Sequence, residues 1–182
     1  RLAQADPTNS RWQRDLSVSY NKLGDLSSAR GNLDEAARLY GEDLRIAERL
    51  AQVDPTNSEW QRDLSVSYNK LGGLHARQQQ DDDAIEHYLR GLSVVDPLVE
   101  KSPDNTQLER DRAVFNHDLF LAYGRQQEWQ KCIAHALAVV QVLGAMVERG
   151  MKLDDYLKRI GEQCMSLLKK VQEQQPGESE SN

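Results

Sequence analysis

The chain has 182 residues, with 23 lysines and arginines against 29 aspartates and glutamates, a formal net charge of -6 and two cysteines. This acidic balance leaves no broad basic surface to neutralise phosphates, which argues against double-stranded nucleic acid and anionic membranes as partners. No apolar run approaches the roughly 18 residues that cross a bilayer. Cys132 and Cys164 are too few and too isolated to form a disulfide framework, so we expect a reducing, cytoplasmic location.

An internal repeat of 48 residues organises the chain. Residues 1–24 reappear as residues 49–72 with two differences, Ala5 for Val53 and Arg11 for Glu59. A diverged third copy keeps the register, and a partial fourth copy follows it. The predicted segments are the remnant of a preceding repeat (1–8), repeat 1 (9–54), repeat 2 (55–102), a diverged repeat 3 (103–150), a C-terminal capping helix (151–174) and a disordered tail (175–182).

The start of the chain matches the end of a repeat. Residues 1–5 correspond to residues 49–53, so we expect the chain to open inside a preceding repeat. A single amphipathic hairpin cannot bury its own apolar face and must stack on a neighbour. The sequence therefore predicts an apolar edge at this end, which favours self-association.

Each repeat is predicted to contain two helices, of which we call the first helix A. In repeat 1 Ser10 is followed three residues later by Gln13, the spacing of a capping box, and the pairs Ser58/Gln61 and Thr106/Glu109 repeat it. Large apolar residues then recur at helical spacing and predict one buried stripe. In repeat 1 these residues are Trp12, Leu16, Tyr20 and Leu23.

The second helix of each repeat, helix B, is predicted to start after the Gly31-Asn32 pair in repeat 1, with Asn32 and Glu35 as its caps. Its inward residues are Ala36, Tyr40 and Leu44. Asp-Pro at 54–55 is predicted to end the helix, because proline has no amide donor and restricts the residue before it.

At these positions the chain resembles the tetratricopeptide repeat family, whose pattern is an aromatic residue and Leu-Gly in helix A, then a small residue followed by an aromatic in helix B. Repeat 1 has Tyr20, Leu23, Gly24, Ala36 and Tyr40, and repeat 2 has the same residues 48 positions later. Repeat 3 departs from the pattern at three positions, with Asn116, Phe120 and Ala136.

The resemblance implies an all-α fold in which antiparallel helical hairpins stack as a right-handed α-solenoid. The family period is about 34 residues, so each helix here is predicted to be about two turns longer. The chain is therefore similar to the long-helix variant found in bacterial multidomain signalling proteins and in kinesin light chains.

Each residue type that could take part in catalysis or metal binding has a structural interpretation in this sequence. We therefore predict no enzyme activity, cofactor or metal. Asp81, Asp82 and Asp83 open a helix B, where carboxylates favour a helix N-terminus over a cation site. The cysteines are expected to be buried and unreactive, and the three tryptophans to pack in the core. The histidines lack metal-ligand spacing, and two of them share one surface slot of helix B; they are His75, His87, His117 and His135.

The remaining candidate surface is the concave groove that the family resemblance places on helix A. Asparagine amides there suit a peptide backbone, and Lys70, Arg77 and Arg125 suit acidic side chains. Asn21 and Asn69 share one slot and are predicted to make equivalent contacts. The candidate groove residues are Asn21, Lys22, Asp25, Asn69, Lys70, Arg77, His117, Asp118 and Arg125.

Two functions follow from this organisation. The first is a non-catalytic scaffold that binds a peptide or protein segment in the concave groove. The alternative is a regulatory or oligomerising arm of a larger signalling protein, acting by self-association through the repeat edge.

Overall fold

A computed structural model of the chain describes residue 6 and residues 8–174. The predicted tail at 175–182 and most of the predicted remnant at 1–8 lie outside these residues. Seven helices and no strand are found in the described part of the chain: α1 (Ser10–Ala29), α2 (Leu33–Val53), α3 (Ser58–Arg77), α4 (Asp81–Lys101), α5 (Thr106–Arg125), α6 (Trp129–Glu148) and α7 (Asp155–Gln174). The all-α helical-repeat prediction is confirmed. The chain forms two compact units, Arg1–Ser102 and Pro103–Asn182.

The first helix of each repeat is capped one residue earlier than predicted. The Oδ1 atom of Asn9 accepts from the backbone N–H of Trp12 at 3.1 Å, and Asn57 and Asn105 cap α3 and α5 in the same way. The predicted capping boxes are therefore wrong, because asparagine takes the role given to serine or threonine. Gln13 instead accepts from Arg49 of α2 at 2.6 Å, so it links the two helices of the hairpin.

The turn within each hairpin needs one residue with positive φ. Gly31 has φ 80°, which suits glycine, but repeats 2 and 3 place Gln79 and Gln127 there at 61° and 60°. Asn32 holds the predicted N-cap position of α2 without a side-chain cap bond.

Helices α2 and α4 differ in how proline affects their C-terminal ends. Helix α2 stops at Val53, and Asp54 is its C-cap as predicted. Helix α4 continues through Pro97 to Lys101. Pro97 lies on the exposed side of α4, four residues before the end, where its ring meets solvent.

The core of the first unit forms where α2 packs between α1 and α3. Leu71 and Leu74 of α3 pack against Ala36 and Tyr40 of α2. A second cluster joins Leu64 and Tyr68 to Ala47 and Ala51. Three members of the predicted stripe of α3, Leu64, Tyr68 and Leu71, are thus buried, and Trp60 is half-buried. In α1 the stripe is not buried, since Leu23 is 50% exposed, and that prediction is wrong for repeat 1.

A glycine lets the two helices of each hairpin in the first unit approach closely. A Cβ atom added to Gly24 would lie 2.5 Å from Cε1 of Tyr40, and one added to Gly72 would lie 2.5 Å from Cε1 of Tyr88. In the second unit the same two slots hold Phe120 and Ala136, both buried. The departure of repeat 3 is therefore an exchange in which the large side chain moves to the other helix.

The second unit consists of the α5–α6 hairpin with α7 packed against it. Cys132 and Cys164 are buried, as predicted. Trp12 and Trp60 are half-buried, but Trp129 is 54% exposed at the start of α6, so its assignment to the core is wrong.

One helix is more apolar than the sequence suggested. Trp129–Glu148 (α6) is long and apolar enough, by length and composition alone, to cross a membrane. It packs against α5 and α7, and Val139 and Leu143 are buried there. Of the apolar stretch in α6, 33% is buried within the structure, and core helices of globular proteins also pass this test of length and composition.

Candidate functional site

Helices α1 and α3 of the first unit are joined side by side by charged side chains. The Nε atom of Arg14 donates to Oδ2 of Asp63 at 2.5 Å, and Nη1 of Arg14 lies 2.8 Å from Oε1 of Glu59. About three turns further along α1, both carboxylate oxygens of Asp25 accept from Nζ of Lys70 in α3, at 2.7 and 2.9 Å. We call this surface the α1–α3 face and define it by Arg14, Asp25, Ser28, Lys70 and Arg77.

Two cations of α3 are oriented by α1 and still reach solvent. Asp25, which holds Lys70, also accepts from the hydroxyl of Tyr40 at 2.7 Å. Arg77 Nη1 donates to Oγ of Ser28. The Lys70 side chain is 31% exposed, and Arg77 is exposed. Because they are seven residues apart, they lie two turns apart on the same side of α3, about 10.5 Å along its axis.

Next to this face, a buried carboxylate joins three helices. Asp43 of α2 accepts from Nδ2 of Asn21 at 2.8 Å, from Oγ of Ser67 at 2.9 Å and from Oγ of Ser17. Burial raises the pKa of Asp43, and the three donors offset only part of that effect. Asp43 therefore fixes the spacing of α1, α2 and α3, on which the α1–α3 face depends.

The two asparagines predicted to act alike have different surroundings. Asn21 is bound to Asp43. In repeat 2 the slot of Asp43 is taken by Gly91, and Asn69 is half-buried. The side-chain amide of Asn21 is therefore engaged with a buried carboxylate of α2, and the two asparagines do not offer a peptide equivalent contacts.

The other predicted groove residues differ in how far they are open to solvent. Lys22 is exposed on α1. In the second unit Arg125 is exposed and Asp118 is half-buried. His117 is buried, and its Nε2 lies 2.9 Å from Oε1 of Gln163 in α7, so it does not lie on an open surface.

Sequence reasoning missed Asp43 and the Arg14–Asp63 pair. A signal for Asp43 was present, because it follows Tyr40 by three residues and precedes Ala47 by four, which places a carboxylate on the buried stripe of α2. No local sequence pattern indicates the Arg14–Asp63 pair, because the two residues are 49 positions apart and meet only through the packing of α1 beside α3.

The thiols and imidazoles have structural surroundings. Burial raises the pKa of the Cys132 thiol, and it raises the pKa of Cys164 to about 12. Both thiols are therefore protonated and unreactive near neutral pH. His87 and His135 are half-buried and stacked on His75 and Tyr123, which corrects their assignment to the open surface. Within the described ranges no group of three or more side chains suits a metal.

An apolar cleft lies between α6 and α7 of the second unit. Its volume is about 460 Å³, and Val147, Leu157 and Met165 are among the residues that line it. Gly144 and Gly161 open its walls at the slots that Glu48 and Ser65 fill in the first unit. Glu148, Lys158 and Glu162 are the charged residues in its lining.

Comparison with known proteins supports the helical-repeat class. Residues 16–56 match the tetratricopeptide repeat family. The fold is similar to that of BtubC (BKLC) from P. vanneervenii, with a TM-score of 0.57 and 18% sequence identity over 100% of this chain and 70% of that chain. No curated protein matches the chain.

These findings define an all-α protein with a tetratricopeptide-type repeat. The match to BtubC, at 18% identity, bears on the fold alone. Repeats of this type generally mediate protein–protein interactions.

Proposed function

We propose that the protein is a non-catalytic scaffold of the long-helix tetratricopeptide type, which binds an extended acidic segment of another protein on the α1–α3 face. The match at residues 16–56 supports a protein-binding role, and this range includes most of α1 and all of α2. The net charge of -6 supports a protein partner over nucleic acid or anionic membrane. We place this function in the cytoplasm.

The spacing of Lys70 and Arg77 is the observation that carries the proposal. The Cα atoms of the two residues lie on the same side of α3, about 10.5 Å apart along its axis. Their charged groups are held by Asp25 and Ser28 of α1. A peptide in the extended polyproline II conformation advances about 3.1 Å per residue with three residues per turn, so carboxylates three residues apart lie on one side of it and span about 9 Å. A segment with acidic residues at positions i and i+3 therefore matches both cations at once.

The existing ion pairs do not block such a ligand. Exposed pairs such as Lys70–Asp25 contribute about 0 to 1 kcal/mol, so sharing Lys70 with a second carboxylate costs little. Asp25 and Ser28 also hold the cations in place before binding, which reduces the entropy lost when the ligand arrives. Lys22, exposed on α1, adds a positive charge.

An array of ten-residue peptides tests the proposal. Each peptide carries two glutamates in a Gly/Ser background, with the separation varied from about one to about six residues. The full chain is compared with the variant Lys70→Gln/Arg77→Gln. The matched control is Arg38→Gln/Arg45→Gln, which removes two cations from the exposed side of α2, where each pairs with a glutamate three residues earlier.

We expect binding to be strongest at a separation of three, to be lost in Lys70→Gln/Arg77→Gln and to persist in the control. Binding that does not depend on separation, or that falls equally in both variants, would show only general attraction between charges. Either result would remove the α1–α3 face as the ligand site.

A further inference from the structure

The cleft between α6 and α7 has an apolar wall at slots that are polar in the first unit. In α3 three slots, each four residues from the next, hold Gln61, Ser65 and Asn69, and α1 has the same residue types one period earlier. In α7 these slots hold Leu157, Gly161 and Met165, all of which line the cleft. Met165 is 51% exposed, so its side chain gains little from the fold itself and is available to another apolar surface.

The opposite wall of the cleft has lost a carboxylate. In the first unit Glu48 of α2 accepts from the hydroxyl of Tyr68 in α3 at 3.0 Å. Two periods later these slots hold Gly144 in α6 and Cys164 in α7, so neither the carboxylate nor the phenol is present. A Cβ atom added to Gly144 would meet nothing within 4 Å. Both walls have therefore changed together, and the result is an apolar cleft of about 460 Å³.

Two carboxylates give the lining of this cleft a negative charge. Glu148 and Glu162 are exposed, and neither side chain forms an ion pair or a hydrogen bond with residues 8–174. Lys158, the third charged residue of the lining, lies 3.4 Å from Oδ1 of Asp155, which offsets its charge. Basic side chains on a ligand therefore complement Glu148 and Glu162.

We propose that the α6–α7 cleft binds an amphipathic helix of another protein, whose large apolar side chains enter the cleft and whose lysines or arginines meet Glu148 and Glu162. A groove that runs along two helices suits a helical ligand, because apolar residues at i, i+4 and i+7 form one stripe on it. Such a ligand covers Val147 and Met165, which are 54% and 51% exposed. The cleft lies between two helices that already pack together, so it is not an end face on which another repeat would stack.

This ligand differs from the chain's own C-terminal residues and from the acidic segment proposed for the α1–α3 face. Residues 175–182 contain no large apolar residue and carry Glu178 and Glu180, which have the same charge as Glu148 and Glu162. The α1–α3 face selects carboxylates, whereas the cleft selects an apolar stripe flanked by basic residues. The two proposals can therefore fail separately.

The first test locates binding on the original chain by nuclear magnetic resonance of methionine methyl groups. The chain has three methionines, Met146, Met151 and Met165, of which Met165 lines the cleft. The probe is an alanine-based helical peptide of about 18 residues, with leucines at i, i+4, i+7 and i+11 and a lysine on each side of this stripe. One control peptide has the same composition with the leucines scattered around the helix, and the other has glutamate in place of each lysine.

We expect the striped lysine peptide to shift the Met165 signal most, and both control peptides to bind about tenfold more weakly or less. The absence of a shift, or equal binding of either control peptide, would overturn the proposal. A Met165 signal that shifts with protein concentration when no peptide is present would also overturn it, and would favour a second copy of the chain as the occupant.

The second test fills the cleft without making it polar. Gly144→Leu adds an apolar side chain where a Cβ has open space, and Gly41→Leu in α2 is the matched control because a Cβ there also meets nothing within 4 Å. Circular dichroism checks that both variants stay helical. By fluorescence anisotropy we expect Gly144→Leu to weaken binding of the striped lysine peptide about tenfold, and Gly41→Leu to change it less than about twofold. Equal binding by the two variants would overturn the proposal.

Discussion

The two units solve the same packing problem with the side chains exchanged. In the first unit a glycine of the first helix faces a tyrosine of the second, as Gly72 and Tyr88 do. In the second unit Phe120 occupies the glycine slot and Ala136 the tyrosine slot. The repeat therefore keeps one large and one small partner at the helix crossing and leaves open which helix supplies the large one.

Breaking the exchange in the second unit should have the largest effect. Phe120→Gly removes a buried ring, and we expect a loss of about 4 kcal/mol in the free energy of unfolding. The double variant Phe120→Gly/Ala136→Tyr restores the arrangement of the first unit. It should recover at least half of that loss in urea unfolding followed by circular dichroism.

The single variant Ala136→Tyr is the matching control, because it adds volume without making room and should also destabilise. If the effects of the two single changes simply add in the double variant, the two slots are not energetically coupled. The large residue in one slot then does not compensate for the small residue in the other, and the account of the exchange is contradicted.

A methyl group added at the first-unit crossing should have the next largest effect. We expect Gly72→Ala to lower the free energy of unfolding by about 2 kcal/mol, since the new Cβ would lie 2.5 Å from the buried ring of Tyr88. Gly41→Ala in α2 is the control, because a Cβ there meets nothing within 4 Å. Alanine is the better helix former, so Gly41→Ala should stabilise by about 1 kcal/mol. Equal effects at the two positions would contradict the close approach.

Asp43 gives the first unit a buried titratable carboxylate in the slot where repeat 3 has Val139. Burial raises the pKa of Asp43 in the folded chain above its value in the unfolded chain. Its contribution to stability is therefore fully present at a pH below the unfolded pKa and is lost as the pH rises through the folded pKa.

We expect the stability of the original chain, measured relative to Asp43→Asn, to decrease as the pH rises above about 4. Urea unfolding at several pH values measures this difference, and comparison of the two proteins cancels the titration of exposed carboxylates. A difference that increases with pH would show that the donors from Ser17, Asn21 and Ser67 outweigh burial.

The smallest effect concerns the turn within the hairpins. Gln79 and Gln127 adopt φ of 61° and 60°, where Gly31 of repeat 1 adopts 80°. Gln79→Gly relieves the backbone strain but gives the unfolded chain more freedom, so we expect a net gain of about 0.5 kcal/mol. Gly31→Gln should lose a similar amount in thermal unfolding. A loss of stability for Gln79→Gly, or a gain for Gly31→Gln, would show that the surroundings of the turn outweigh φ.

The sequence predicted the helices well because each depends on local signals. The 48-residue repeat, the apolar stripes and Asp54-Pro55 are visible without knowing any contact, and α2 ends at Val53 as expected. The caps were displaced by one residue because Asn9 and Ser10 are both good caps, and local pattern alone does not choose between them.

Burial and side-chain pairing were harder to predict because they depend on neighbouring helices. Leu23 and Leu71 share one pattern, yet only Leu71 lies under α2. His117 looked like a groove residue because Asn21 and Asn69 share its slot, but α7 buries it. The partners of Lys70 and Arg77 likewise follow from the placement of α1 beside α3.

The central claim is that Lys70 and Arg77 together hold an acidic segment. Isothermal titration of the full chain with the best peptide of the array, a glutamate pair three residues apart, tests it most directly. We predict that Lys70→Gln/Arg77→Gln weakens binding at least tenfold, about 1.4 kcal/mol, while Arg38→Gln/Arg45→Gln changes it less than about twofold. Equal affinity of all three proteins, or equal weakening in the two variants, would contradict the claim.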